Sequence, residues 1–156
     1  LKTMEDGIKV KELLNKEENQ KVAIIGAGFI GLEAVEAAKQ LGKEVRVFQS
    51  ESRVLAQVFD KEITDVLEEE IKKHDVDLRL EELVSELVGE TKVEKIITNK
   101  GEYEADVVII ATGVRPNTSF LKDTSIEMLP NGAIIVDEFG RTSVEDMYLL
   151  QQELIN

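Results

Sequence analysis

The stretch "KVAIIGAGFIGLEAVEAAKQLGKEVRVF", residues 21–48, leaves the chain few alternatives. "KVAII" is a continuous apolar run, the pattern of a strand buried on both faces, as parallel strands are. From residue 30 to 41, apolar and small residues recur at helical spacing: Ile30, Leu32, Ala34, Val35, Ala38 and Leu41. Gly42 stands where a helix C-terminus favours glycine. "EVRVF", residues 44–48, reads as a second strand. Strand, crossover helix and strand within roughly 30 residues make a βαβ unit, so a parallel sheet is predicted.

Between that strand and helix, Gly26, Gly28 and Gly31 form G-x-G-x-x-G. The motif is informative here because it follows a buried strand and opens a helix. Gly26 makes the tight turn, Gly28 lets backbone approach a pyrophosphate, and Gly31 lets helix pack close on strand. The helix N-terminus then offers N–H groups and a positive dipole end to phosphate. Phe29 and Ile30 lie on the same turn. Glu33 follows, either facing a bound dinucleotide or placed near the positive helix end for stability.

Strand two should end on an Asp or Glu that accepts hydrogen bonds from the adenosine ribose and repels a 2′-phosphate. Gln49 holds that place, so the hydrogen bond survives and the repulsion is lost. Ser50, Ser52 and Arg53 follow, and Arg53 is a 2′-phosphate partner, a surface residue or a brace for its own loop. The stretch admits NADPH without requiring it and favours NADH. Further on, "IIATGVRPN" is a buried strand ending in Ala111, Thr112 and Gly113, small residues that let a ligand come close.

The rest of the chain completes an α/β pattern. Residues 7–17 read as a short amphipathic helix. Asp60 caps a helix to about Lys73 with Ile63, Val66, Leu67 and Ile71 on one face. "VDLRL" is strand three. "ELVSELVG", "KVEKIITN" and "GEYE" form an antiparallel meander, the last running on into "DVVIIATG". "GAIIVDEFGRTS" predicts one more short strand. The expected fold is Rossmann-like: a parallel sheet of about four strands, helices on both faces, and a three-stranded antiparallel meander. There is no internal repeat, and no second domain or linker is expected.

Composition narrows the function. A net charge of −13 disfavours nucleic acid and anionic membrane surfaces as partners, so a phosphate site must work through backbone N–H groups. The absence of Cys excludes disulfides, thiolate metal sites and thiol nucleophiles from this stretch. No apolar run approaches the roughly 20 residues of a membrane span, and a cytoplasmic location is expected. His74, the only His, sits near a helix end with no nucleophile to serve. No residue spacing suggests a metal site.

Together these segments resemble the NAD(P)-binding domain of the FAD-dependent pyridine nucleotide–disulfide oxidoreductases, in the branch of NADH oxidase, NADH peroxidase and coenzyme A disulfide reductase. The stretches that carry the resemblance are "KVAIIGAGFIGLEAVEAAKQLGKEV", "FDKEITDVLEEE", "KVEKIITNKGEYEADVVIIATGVRPNTSFLK" and "NGAIIVDEFGRTSVEDMY". The resemblance implies NAD(H) or NADP(H) as ligand and FAD in a longer, homo-oligomeric parent. It places Ile30 and the three glycines along the pyrophosphate and nicotinamide half, Gln49 at the adenosine ribose and Gly113 by the nicotinamide. A Tyr that shields the flavin in such oxidases corresponds here to Val58 or Phe59. It divides the chain into a connecting segment and helix (1–20), a dinucleotide domain (21–148) and a divergent tail (149–156). The FAD and dimerisation domains, with the redox Cys, would lie outside this chain, which alone should have no oxidoreductase turnover. An NADPH-dependent coenzyme A disulfide reductase, a nitrite-reductase-like flavoprotein and a non-catalytic dinucleotide-binding module are the alternatives.

Overall fold

A computed structural model describes residues 3–149 of the chain. Four parallel strands lie in the order β3 (Val76–Arg79), β2 (Glu44–Phe48), β1 (Lys21–Ile25) and β7 (Val107–Ile110). Helix α2 (Phe29–Gln40) carries the chain from β1 to β2, and α3 (Lys61–Lys73) carries it toward β3. Beyond β3, the strands β4 (Val84–Val88), β5 (Lys95–Thr98) and β6 (Glu102–Glu104) pair antiparallel as a separate small sheet. The expected α/β class, the four-stranded parallel sheet and the meander are all present.

Alternation along the strands decides what covers each face. Val22, Ile24, Val45, Val47, Val107 and Ile109 point to one side and form a single core with Leu14 of α1 (Met4–Asn15), Val35 and Ala38 of α2, and Ile71 of α3. Each fully buried aliphatic side chain contributes about 1.5–3 kcal/mol of transfer free energy. The intervening residues Ala23, Phe48 and Val108 point to the other side, where they meet Ile96, Ala105 and Tyr103. The small sheet therefore covers one of the two faces on which helices are expected from the sequence. Tyr103 stands edge-on to Phe48, with ring centroids 5.1 Å apart, and this aromatic contact sits between the two sheets.

Three local expectations need correction. Helix α1 starts at Met4, earlier than residue 7, because Thr3 and Asp6 form a capping box: each backbone N–H bonds the other's side chain, at 3.1 and 3.2 Å. On α3 the buried positions are Thr64 and Ile71, with Leu67 partly buried, whereas Ile63 and Val66 are exposed. Thr64 tolerates full burial because its hydroxyl donates to the Lys61 carbonyl at 3.1 Å. Residues 132–143 form no strand; among the described residues the isolated pairs Met128–Ile134 and Arg141–Tyr148 bridge there. There the Asp137 carboxylate takes the N–H groups of Phe139 and Arg141, both at 2.9 Å, donors that a ladder would have used.

The chain divides after Gly113 into two compact units. The first holds both sheets and the three helices. The second contains a turn of 3-10 helix at Ser119–Leu121 and a tight turn in which Leu129 and Ala133 are bonded at 2.8 Å. The divergent tail expected from residue 149 lies, from residue 150 on, outside the described residues.

Candidate functional site

From β1 the chain moves outward through β2 to β3, then returns to lay β7 on the opposite edge of β1. The connections after β1 and β7 therefore diverge, and α/β sheets bind ligands in the crevice beyond the carboxyl ends at such a switch point. A cleft of about 420 Å³ opens there. Its walls are the ends of β1 (Ile25 to Phe29), of β2 (Phe48 to Glu51) and of β7 (Ala111 to Gly113), with the loop 55–58 and residues 82–84.

The glycine turn is built by steric necessity. Gly26 has φ +103°, and a Cβ there would lie 2.4 Å from the carbonyl oxygen of Ala111. A Cβ on Gly31 would lie 2.0 Å from the carbonyl oxygen of Gly26. These two positions admit no side chain, so α2 starts tight against β1 and β7. Gly28 differs: a Cβ there meets nothing within 4 Å and would point into open space. Gly28 is the N-cap of α2, with ordinary extended backbone and no acid in the first turn. The first-turn N–H groups of a helix have no intrahelical acceptor.

Of the residues singled out in the sequence, Gly26, Gly28, Phe29, Gln49, Ser50, Val58, Ala111, Thr112 and Gly113 line this one cleft. Ile30, Gly31, Glu33 and Arg53 are not among the lining residues. Gly31 is buried in the helix–strand contact, and Glu33 is exposed. Arg53 is turned into its own loop, where Nη1 donates to the Phe59 carbonyl at 2.7 Å and Nη2 to that of Ala56 at 3.1 Å. Both hydrogen bonds brace the loop.

The loop from Ser50 to Phe59 is held at several points. Leu55 N–H bonds the Ala27 carbonyl at 3.1 Å, and Val54 N–H bonds Glu68 Oε1 at 3.1 Å. Phe59 packs edge-on against Phe29, with ring centroids 6.0 Å apart. Gln49 joins this wall to the glycine turn, its Oε1 accepting from Ala27 N–H at 3.0 Å and its Nε2 donating to Glu51 Oε2 at 3.3 Å.

Two acids that the sequence reading missed also line the cleft, Glu51 and Glu82. Glu82 is buried, and its Oε1 accepts from the Thr98 hydroxyl at 2.6 Å. The Tyr103 hydroxyl is pushed up in pKa, first by its hydrogen bond to Glu82, then by burial and by the Glu82 charge. Arg46 and Arg79 lie over the Tyr103 ring at 4.6 and 5.4 Å and pair with Asp77. In the sequence Glu51 carries no signal of its own; its place on the folded loop brings it to the cleft. Among the described residues lining the cleft there is no Lys, Arg or His, and no cluster of possible metal ligands occurs among the described residues. No described helix is long and apolar enough to cross a membrane.

A parallel sheet whose first strand turns through glycines into a helix, with a cleft at the switch point, defines a Rossmann-like α/β domain. Comparison with known proteins makes this specific: the chain belongs to the pyridine nucleotide-disulphide oxidoreductase family, whose profile matches residues 2–150. It is 44% identical over 143 residues to an NAD(P)H coenzyme A polysulfide/persulfide reductase of Pyrococcus horikoshii, covering 92% of this chain and 32% of that protein. It is also 44% identical over 134 residues to an NADH oxidase of Enterococcus faecalis, covering 85% and 30%. The water-forming NADH oxidase of Lactobacillus brevis, solved bound to NADH, superposes with a TM-score of 0.81 at 36% identity, covering 91% of this chain and 31% of that one. The chain thus spans about a third of the length of the curated relatives it matches.

Proposed function

We propose that the cleft binds a nicotinamide dinucleotide, NADH in preference to NADPH, and presents it for hydride transfer to FAD in a flavoprotein oxidoreductase of which this chain is the dinucleotide domain, residues 21–148. The observation that carries the reading is the cradle at Gly28: open space in front of a helix N-terminus, at the point where β1 and β7 diverge. The pyrophosphate would lie over this turn, held by backbone N–H groups, which suits a cleft lined by no cationic side chain. The adenosine half would run toward Gln49, Ser50 and residues 82–84, and the nicotinamide half toward Ala111, Thr112 and Gly113. Gly26 and Gly31 hold the turn, and the loop 55–58 screens one side from water. Val58, exposed at the cleft wall, would stand over the ring. The nicotinamide supplies the hydride chemistry when bound; the chain supplies binding and orientation.

The two relatives of equal identity are named for different reactions, one a polysulfide/persulfide reductase and the other an oxidase. What they share by name is the nicotinamide donor, so the final acceptor is a property of the regions this chain does not span. Calorimetric titration with NADH and NADPH at fixed salt tests the reading. Saturable NADH binding with weaker NADPH binding supports it. No heat from either nucleotide at millimolar concentration removes it.

A further inference from the structure

The cleft poses a charge problem at the ribose. The residue that closes β2 is the neutral Gln49, and its amide is already committed: Oε1 to Ala27 N–H and Nε2 to Glu51. We propose that Glu51, two residues further on, is the carboxylate that selects against a 2′-phosphate, with Gln49 acting as the positioning residue that ties it to the glycine turn. The inference rests on the dinucleotide reading of the same cleft.

Three observations carry it. Glu51 lines the cleft beside Gln49 and Ser50, half-buried. Its carboxylate is fixed from two sides, since Oε2 accepts from Gln49 Nε2 at 3.3 Å and Oε1 from Gln57 Nε2 at 2.9 Å. Its backbone is fixed too, with the Glu51 carbonyl accepting from Glu81 N–H at 2.9 Å. Both side-chain donors are neutral amides, so they orient the carboxylate without cancelling its charge. Arg53, the cation two residues further on, spends its two terminal nitrogens on the carbonyls of Phe59 and Ala56. Glu82 adds a second carboxylate to the same cleft. A 2′-phosphate, carrying between one and two negative charges, would enter a half-desolvated space with two carboxylates and no cation among its lining. The 2′-hydroxyl of NADH meets an oriented acceptor instead.

The test is the ratio of dissociation constants, NADPH over NADH, for the unmodified chain, for Glu51→Gln and for Glu86→Gln. Glu86 is an exposed residue of β4 outside the cleft and controls for net charge. Glu51→Gln is expected to lower the ratio about tenfold, the scale of one repulsive pair at several ångströms in a partly screened site. Glu86→Gln is expected to leave it unchanged. Raising salt from low ionic strength to about 0.5 M should lower the ratio in the unmodified chain and have little effect in Glu51→Gln, because only a charge–charge contribution is screened. A ratio that stays put in Glu51→Gln, or that falls equally in Glu86→Gln, overturns the proposal while NADH binding by the unmodified chain keeps the dinucleotide reading intact. Equal weakening of both nucleotides also overturns it, since that marks a purely structural role. If the unmodified chain binds neither nucleotide, the site reading falls and this inference with it.

Discussion

The side chain of Gln49 and the backbone N–H of Ala27 are hydrogen-bonded at 3.0 Å, so the end of β2 is tied to the glycine turn after β1. The second hydrogen bond of that amide, to Glu51, extends the tie into the loop that walls the cleft. A residue that looks in sequence like a missing ribose acid is in the fold a clamp across two strand ends.

Gln49→Glu should raise the preference for NADH over NADPH, because a further carboxylate at the β2 terminus repels a 2′-phosphate. It also removes the donor to Glu51 and sets two carboxylates where an amide and a carboxylate now lie 3.3 Å apart, so stability should fall by about 1 kcal/mol. Denaturant melts and paired nucleotide titrations read both effects. An unmoved preference would mean that position 49 is remote from the ribose.

The glycines of the turn should separate cleanly. Gly26→Ala forces a Cβ into the Ala111 carbonyl at a positive φ and should cost about 3 kcal/mol or more of stability. Gly28→Ala meets no protein atom and has an allowed backbone, so stability should change by less than about 1 kcal/mol. Yet its methyl would point into the open space of the cradle, and NADH affinity should drop about tenfold or more. A Gly28→Ala variant that binds NADH normally would count against the pyrophosphate position.

Arg53→Ala should weaken NADH and NADPH by the same factor and destabilise the fold by about 1–2 kcal/mol, because Arg53 braces carbonyls of the loop. A selective loss of NADPH binding would instead make Arg53 a phosphate partner.

The ion-pair cluster between the sheets sets an acid limit. Burial alone would raise the Asp77 carboxyl, but the hydrogen bonds and charges of Arg46 and Arg79 outweigh it and hold Asp77 below its ordinary 3.8. A carboxyl depressed in the folded state contributes stability above its unfolded pKa and loses it as pH falls through the folded one. Stability should therefore decline on acidification below about pH 4, and Asp77→Asn should flatten that decline. Denaturant midpoints measured from pH 6 to pH 2 for both proteins check this.

Much of this was legible in the sequence where a residue's neighbours in space are also its neighbours in chain order. The run from Lys21 to Ile25, the glycine turn and the helix to Gln40 were readable because one buried strand, one turn and one amphipathic helix follow each other directly. The strand end at Ala111 was readable from its small residues, although its reason, the close passage of Gly26, is a tertiary one. The covering of the second face was not readable, since Ile96 and Tyr103 reach Ala23 and Phe48 only through the packing of one sheet on another. The buried side of α3 is not the one its apolar spacing predicts, because Thr64 is buried by bonding its own helix and Ile63 and Val66 stay outside. The contacts of Arg53 and Glu51 were unreadable for the same reason: loop carbonyls take the guanidinium, and two amides hold the carboxylate at the cleft.

The most direct test of the central claim is a titration of the isotopically labelled chain with NADH, following backbone amide resonances. The account predicts saturable shifts concentrated at Gly26 to Gly31, at Gln49 to Glu51 and at Ala111 to Gly113, with the exposed outer positions of α3 undisturbed. Saturable binding whose shifts fall elsewhere, or none of these amides responding at millimolar NADH, would contradict it.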